Sequence, residues 1–274
     1  MSIFAGMVLL CKFGQSNNRR RLHMPGFMKG LYPRKLLLAV HFFVLGMLLP
    51  KLAFSQKTYQ NYIRSGNSKD SLKDYSGAIT DFKEAIKLDP AKADPYYYIG
   101  NVEFDKSEYQ KAVDDYTKAL TIASNYSEAY FNRGNALYEL KKYDDAIRDF
   151  TSFISLKPSV SEAYYNRANA YVKNKDFNAA LDDYKQALIM NPNYYQAYYD
   201  RGNLYFNLKM FREATEDYSQ VIKIVPADYH PWFNRAMAEF NLDDANEGCE
   251  DLNKAKDLGD PEAEDFLNEL CGQP

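Results

Sequence analysis

The chain predicts an all-α solenoid of six helix–turn–helix repeats closed by a C-terminal capping helix, on three observations. The first is a period. Ala78, Ala112, Ala146, Ala180, Ala214 and Gly248 stand 34 residues apart, and so do Phe82, Tyr116, Phe150, Tyr184, Tyr218 and Leu252, four residues further on. Columns that stay in phase over such a length signal a repeat architecture. The second is spacing within a unit. Tyr130, Gly134 and Leu137 fall at i, i+4, i+7, and Ala146, Phe150 and Phe153 do the same, which places one apolar stripe on each of two helices. The third is punctuation. Glu139 to Tyr143 is short and polar enough for a tight helix–helix connection, and Pro158 stops the second helix.

From the N-terminus, residues 1–27 carry no pattern that assigns a role, and Met24 or Met28 is the expected start of translation. Residues 28–55 read as a secretory signal. Lys29, Arg34 and Lys35 precede the apolar run Leu36–Leu49, Pro50 ends it, and Ala53 and Ser55 supply small residues for a cut before Gln56. The run is short for a membrane span, which needs about 20 apolar residues. An uncleaved anchor is the alternative, and it leaves the following domain on the same side of the membrane. Cys11 follows Leu10 with no basic segment before it, so a lipoprotein signal is not expected. Loss of 1–55 removes eight basic residues and no acidic ones; 34 less 8 leaves 26 against 37, a net charge of −11. Such a balance disfavours nucleic acid and anionic lipid, both of which need a basic face.

The repeats occupy 56–258. Small residues at Gly66, Gly100, Gly134, Ala168, Gly202 and Ala236 let helix A approach helix B, and the large column at Phe150 and its equivalents fills the remaining space. One hairpin cannot bury its own apolar surface, so neighbours stack. The first unit departs from the pattern at Ser65 and Lys69, as suits an end repeat. In the last segment, 259–274, Gly259 reads as a helix C′ residue, Asp260 as an N-cap and Pro261 as N1. A helix from Glu262 to Cys271 follows, with Ala263, Phe266, Leu267 and Leu270 as its apolar stripe, expected to cover repeat six.

The columns are an aromatic, Gly or Ala four residues on, Ala twelve later, then an aromatic, Ala and a closing Pro. Over residues 59 to about 262 this order resembles the tetratricopeptide repeat family. The resemblance implies a right-handed superhelical solenoid whose A helices line a concave surface.

Catalysis is not expected. Beyond residue 55 the chain holds one histidine, His230, beside Pro231 at a helix start, and no HExxH, CxxC, GxGxxG or P-loop pattern. No metal and no small-molecule cofactor is implied. Asp81, Asp115, Asp149, Asp183, Asp217 and Asp251 repeat in every unit, which argues for structural pairing with Arg133, Arg167, Arg201 and Arg235. Exported compartments favour disulfides, and antiparallel stacking can bring Cys249 to Cys271; a bridge is expected, with two free buried cysteines as the alternative.

Counting Ser127 and its equivalents as position 1, positions 6, 9 and 13 of helix A lie opposite its core stripe, flanked by 5 and 12. Position 6 carries Asn132, Asn166, Asp200 and Asn234; position 9 carries Asn67, Asn101, Asn135, Asn169 and Asn203. Aromatics stand at position 5, including Tyr165 and Tyr199, and at position 12, including Tyr138. Asparagine both donates and accepts, so a column of them can hold the main chain of an extended peptide. The arrangement is similar to the asparagine ladder of superhelical peptide-binding relatives, though Asn at these positions is common in the family and the position-5 aromatics can serve packing alone. Lys173 is the basic residue read at positions 6, 9 and 13, so a clamp for C-terminal carboxylates is not expected. The functional expectation is an exported, non-enzymatic scaffold that binds a protein or peptide in its groove, as an adaptor or assembly factor of the cell envelope, in the periplasm or outside the cell. A structural, self-associating subunit is the alternative.

Overall fold

Each helix A ends in the same backbone device, and that device sets the hairpin. The structure, a computed structural model, describes residues 58–272. Helix A of the successive repeats is α1 (58–71), α3 (Asp94–Asp105), α5 (Ser127–Glu139), α7 (Ser161–Lys173), α9 (Tyr195–Asn207) and α11 (His230–Phe240). Helix B is α2 (Tyr75–Leu88), α4 (Tyr109–Ile122), α6 (Tyr143–Leu156), α8 (Phe177–Met190), α10 (Phe211–Ile224) and α12 (Ala245–Asp257). Between A and B the chain passes through one left-handed residue: Lys73, Ser107, Lys141, Lys175, Lys209 or Asp243, with φ between 59° and 64°. In repeat three, Lys141 N–H donates to Tyr138 O at 2.8 Å and Lys142 N–H to Leu137 O at 2.9 Å, the paired bonds of a Schellman turn. Asp74, Asp176 and Asp244 then cap helix B by accepting from the backbone N–H three residues on.

Each helix B packs on its own helix A and on the next, so the layers continue without a break from α2 to α12. The expected columns form the core: Ala78, Phe82, Ala146, Phe150, Tyr184, Tyr218 and Leu252 are all buried. An added Cβ on Gly134 would lie 2.8 Å from Phe150 Cε1, so a hydrogen there lets the ring close the gap between α5 and α6.

The Asp column pairs within its own repeat, sixteen residues on from the arginine. Arg133 meets Asp149 through Nε and Nη2, both at 2.7 Å, and Arg167, Arg201 and Arg235 repeat the fork on Asp183, Asp217 and Asp251. Each guanidinium also lies over the position-4 aromatic, 5.2 Å from the ring centre in the case of Arg235 and Trp232. In repeat one Ser65 stands in the arginine's place, and Lys69, one turn on, reaches Asp81 at 2.7 Å. In repeat two the equivalent residue is Ile99, and Asp115 takes Lys118 from its own helix at 2.6 Å.

The cap differs from the single helix expected. Asp260 does accept from Glu262 and Ala263 N–H, and Gly259 is left-handed at φ 95°. The helix is α13 (Ala263–Phe266), however, and it widens into a π-helical turn over Leu267–Cys271. The wider turn rotates Leu270 off the apolar stripe, leaving it 42% exposed, and turns Cys271 inward instead. Cys271 is disulfide-bonded to Cys249 of α12, with the Cα atoms 5.9 Å apart. The upstream segment, the signal or anchor and its cleavage site lie outside the described residues.

Candidate binding groove

The A helices carry their polar faces side by side, and the asparagines there are first bonded to one another. Asn132 Nδ2 donates to Asn101 Oδ1 at 2.9 Å, Asn166 Nδ2 to Asn135 Oδ1 at 3.1 Å, and Asn234 Nδ2 to Asn203 Oδ1 at 3.2 Å. The position-9 oxygen also accepts from a buried tyrosine of helix B: Tyr116 on Asn101 at 2.8 Å, Tyr218 on Asn203 at 2.9 Å, and Tyr184 on Asn169. Burial pushes these three phenols well above their ordinary range, so they remain neutral donors. Asn135 lacks such a donor because Phe150 stands in the tyrosine column. The ladder therefore pins repeat two to three, three to four and five to six before any ligand arrives.

The position-5 aromatics belong to the same packing. Tyr165 lies 4.9 Å, centre to centre, from Tyr194, at the N-cap of the next helix A, and Tyr97 lies 4.8 Å from Tyr126, at the equivalent N-cap. Tyr199 Oη accepts from Asn234 Nδ2 at 3.0 Å. Tyr165 and Tyr199 are thus half-buried joints between repeats. Tyr138, at position 12, stays at the surface of the groove, edge-on to Tyr143 at 5.5 Å.

Four hollows run along this face, of about 300, 260, 480 and 450 Å³ from repeat one towards repeat six. Neighbouring hollows share walls: Phe104 and Asn135 between the first two, Tyr138 and Asn169 between the next, Asn203 and Asn207 between the last. They form one groove in which position-9 amides and position-12 aromatics alternate. Asn207, at position 13, is exposed and was not singled out by the helical-wheel reading, although the period marks it. Arg64, at position 6 of repeat one, was likewise passed over and is exposed.

Asp200 breaks the ladder. Where repeats three, four and six donate from Asn, it accepts, taking the Tyr165 hydroxyl at 2.7 Å on Oδ2. Burial pushes its carboxyl up from the ordinary range, against the Tyr165 bond and Lys173, which pull it down. At the far end of the groove, Asp70 is raised by burial and by Asp105 beside it. His230, 57% exposed in its side chain, bonds Asp228 through Nδ1 at 2.7 Å and stacks on Tyr229, an inter-repeat turn contact. Among the described residues, no group of His, Cys, Asp and Glu is arranged to hold a metal ion.

Two family models describe the same array. The tetratricopeptide repeat model matches 127–159, 161–194 and 195–228, and a second model of the repeat matches 66–102 and 100–141. Solved structures share the fold. The MamA protein is 25% identical over 63% of this chain and 94% of its own, with a TM-score of 0.59. YrrB, described as a TPR protein with an unusual peptide-binding site, is 24% identical over 69% of this chain and 98% of its own, at 0.61. A tetratricopeptide repeat protein from Parabacteroides merdae is 18% identical over 79% of this chain and all of its own, at 0.61. No curated protein sequence matches the chain.

Proposed function

From the premise that this chain is built of tetratricopeptide repeats, a protein-interaction scaffold, we propose that it is an exported adaptor that holds an extended protein segment in its concave groove. The observation that carries the reading is the continuity of the four hollows, with Asn135, Asn169 and Asn203 at their junctions and Phe104, Tyr138 and Phe206 between them. An extended strand presents a carbonyl and an N–H at every residue, and amides spaced along a groove meet them whatever the side chains. The aromatics add amphipathic contact area at low entropic cost. Export is supported by the basic-then-apolar leader at 28–55 and by the disulfide between Cys249 and Cys271, a bond that persists in oxidising compartments.

The test is site-specific photocrosslinking in cells. A benzophenone side chain at Tyr138, in the groove, is compared with one at Lys185, exposed on helix B. A partner protein captured from Tyr138 and not from Lys185 is the expected result. Capture from Lys185 alone, or of a second copy of this chain at both, overturns the groove reading and leaves the self-associating subunit. N-terminal sequencing of the mature protein should begin at or near Gln56; retention of 36–50 supports the anchor.

A further inference from the structure

The charges in the groove are not balanced. The residues lining its four hollows include Asp70, Asp105, Glu139 and Asp200, with Lys173 as the counter-charge. Asp70 Oδ1 is buried without a hydrogen-bond partner. The middle of the groove departs from the column: Asp200 stands where repeats three, four and six carry asparagine. Asn at position 6 donates to the repeat before it, whereas Asp200 cannot; its Oδ2 takes the Tyr165 hydroxyl, and Asn169 accepts from Tyr184 alone. A half-buried carboxylate with one hydroxyl donor is under-solvated, and its raised pKa reports that cost. It sits on the wall of the largest hollow, between Asn169 and Asn203.

We propose that the groove selects a cationic segment, and that Asp200 is the residue that determines this, receiving a lysine ammonium or arginine guanidinium of the bound strand. The inference rests on the groove reading above and deepens it. The complement follows from the field: an acidic groove in a domain of negative net charge attracts a basic strand and repels an acidic one. A charged donor placed on Asp200 restores the solvation that burial removed, and in a half-buried hollow such a bond outweighs its exposed equivalent. Asp70 and Asp105 extend the same preference to the first hollow.

The experiment uses the full mature chain and defined peptide mixtures. Each mixture has acetylated and amidated ends, random neutral residues, and one fixed central residue: lysine, arginine, norleucine or glutamate. Retention by the immobilised protein is expected to favour lysine and arginine over norleucine by about 10-fold, and to disfavour glutamate further. Asp200→Asn should erase most of that preference, while Asp182→Asn, the same charge change on an exposed part of α8, should keep it. Asp200→Asn restores the residue of repeats three, four and six, so its melting should match or exceed that of the parent. Capture without preference for the cation, or a preference that survives Asp200→Asn, overturns the inference and leaves the groove standing. Capture of none of the mixtures overturns both.

Discussion

Glu103→Gln should make the protein more stable above neutral pH and should flatten its pH dependence. In repeats three to six the buried aspartate of helix B is neutralised by an arginine fork; repeat two has Ile99 there. Asp115 instead faces Glu103 of α3, which is 8% exposed. Burial first, then the charge of Asp115 and a hydrogen bond to it, push the Glu103 carboxyl up to about 7; Glu108 adds to the rise and Lys111 opposes it. The ordinary value is 4.5. The folded state therefore keeps a proton that the unfolded state has released. Stability from this site is full below pH 4.5 and is lost as pH rises through about 7. Each pKa unit is worth about 1.4 kcal/mol, which sets a ceiling of roughly 3 kcal/mol. Asp115 shares the proton and Lys118 relieves part of the repulsion, so about 1–3 kcal/mol is expected. Gln donates to Asp115 at every pH, as the protonated acid does. Thermal melts of parent and variant should nearly coincide at pH 5 and separate at pH 8, with Gln higher by about 2–10 °C for an array of this length. Parallel curves over that range would refute the assignment, since every other titrating group is common to both proteins.

Four further outcomes follow from the packing. Gly134→Leu drives a side chain into Phe150 and should cost about 1–3 kcal/mol, with hydrogen exchange accelerating first in α5 and α6; Gly134→Ala should cost less, because Ala168 fills the same column in repeat four. Arg167→Ala strands Asp183, itself 5% exposed, and should cost about 3–5 kcal/mol in urea unfolding, with part recovered when Asp183→Ala is added. Lys141→Gly, at φ 60°, should raise stability by about 0.5–1 kcal/mol in the same assay; a neutral or lowered midpoint would contradict the left-handed assignment. Reduction of Cys249–Cys271, which closes a short loop, should cost about 3 kcal/mol and expose the α13 cap to proteolysis before the rest.

The groove face was legible from the 34-residue period: of the asparagines named from it, all but Asn67 line the one row of hollows, and Tyr138 stands there with them. Their state was not legible. A helical wheel places Asn101 on a face but does not show that Tyr116, fifteen residues on, and Asn132, thirty-one on, will both take its oxygen. Nor does it separate Tyr165 and Tyr199, which serve as joints between repeats, from Tyr138, which stays in the groove.

Within the six repeats the sequence by itself determined which stripe each helix buries and that the units stack, because these follow from contacts within a few residues and from a column repeated in phase; the cap, which has no column to repeat, was settled by its packing on repeat six. The turn between helices was readable only as a short polar stretch. That Lys, Ser or Asp there adopts a left-handed backbone became visible once the Schellman bonds were in place, since no glycine announces it. Partner choice belonged to the tertiary structure throughout. Which arginine meets which aspartate, which asparagine oxygen is already occupied, and why Glu103 faces Asp115 all depend on the distance between helices and the register of their stacking. Those are properties of the packed array, set by how Gly134 and Phe150 and their equivalents fill the space between layers.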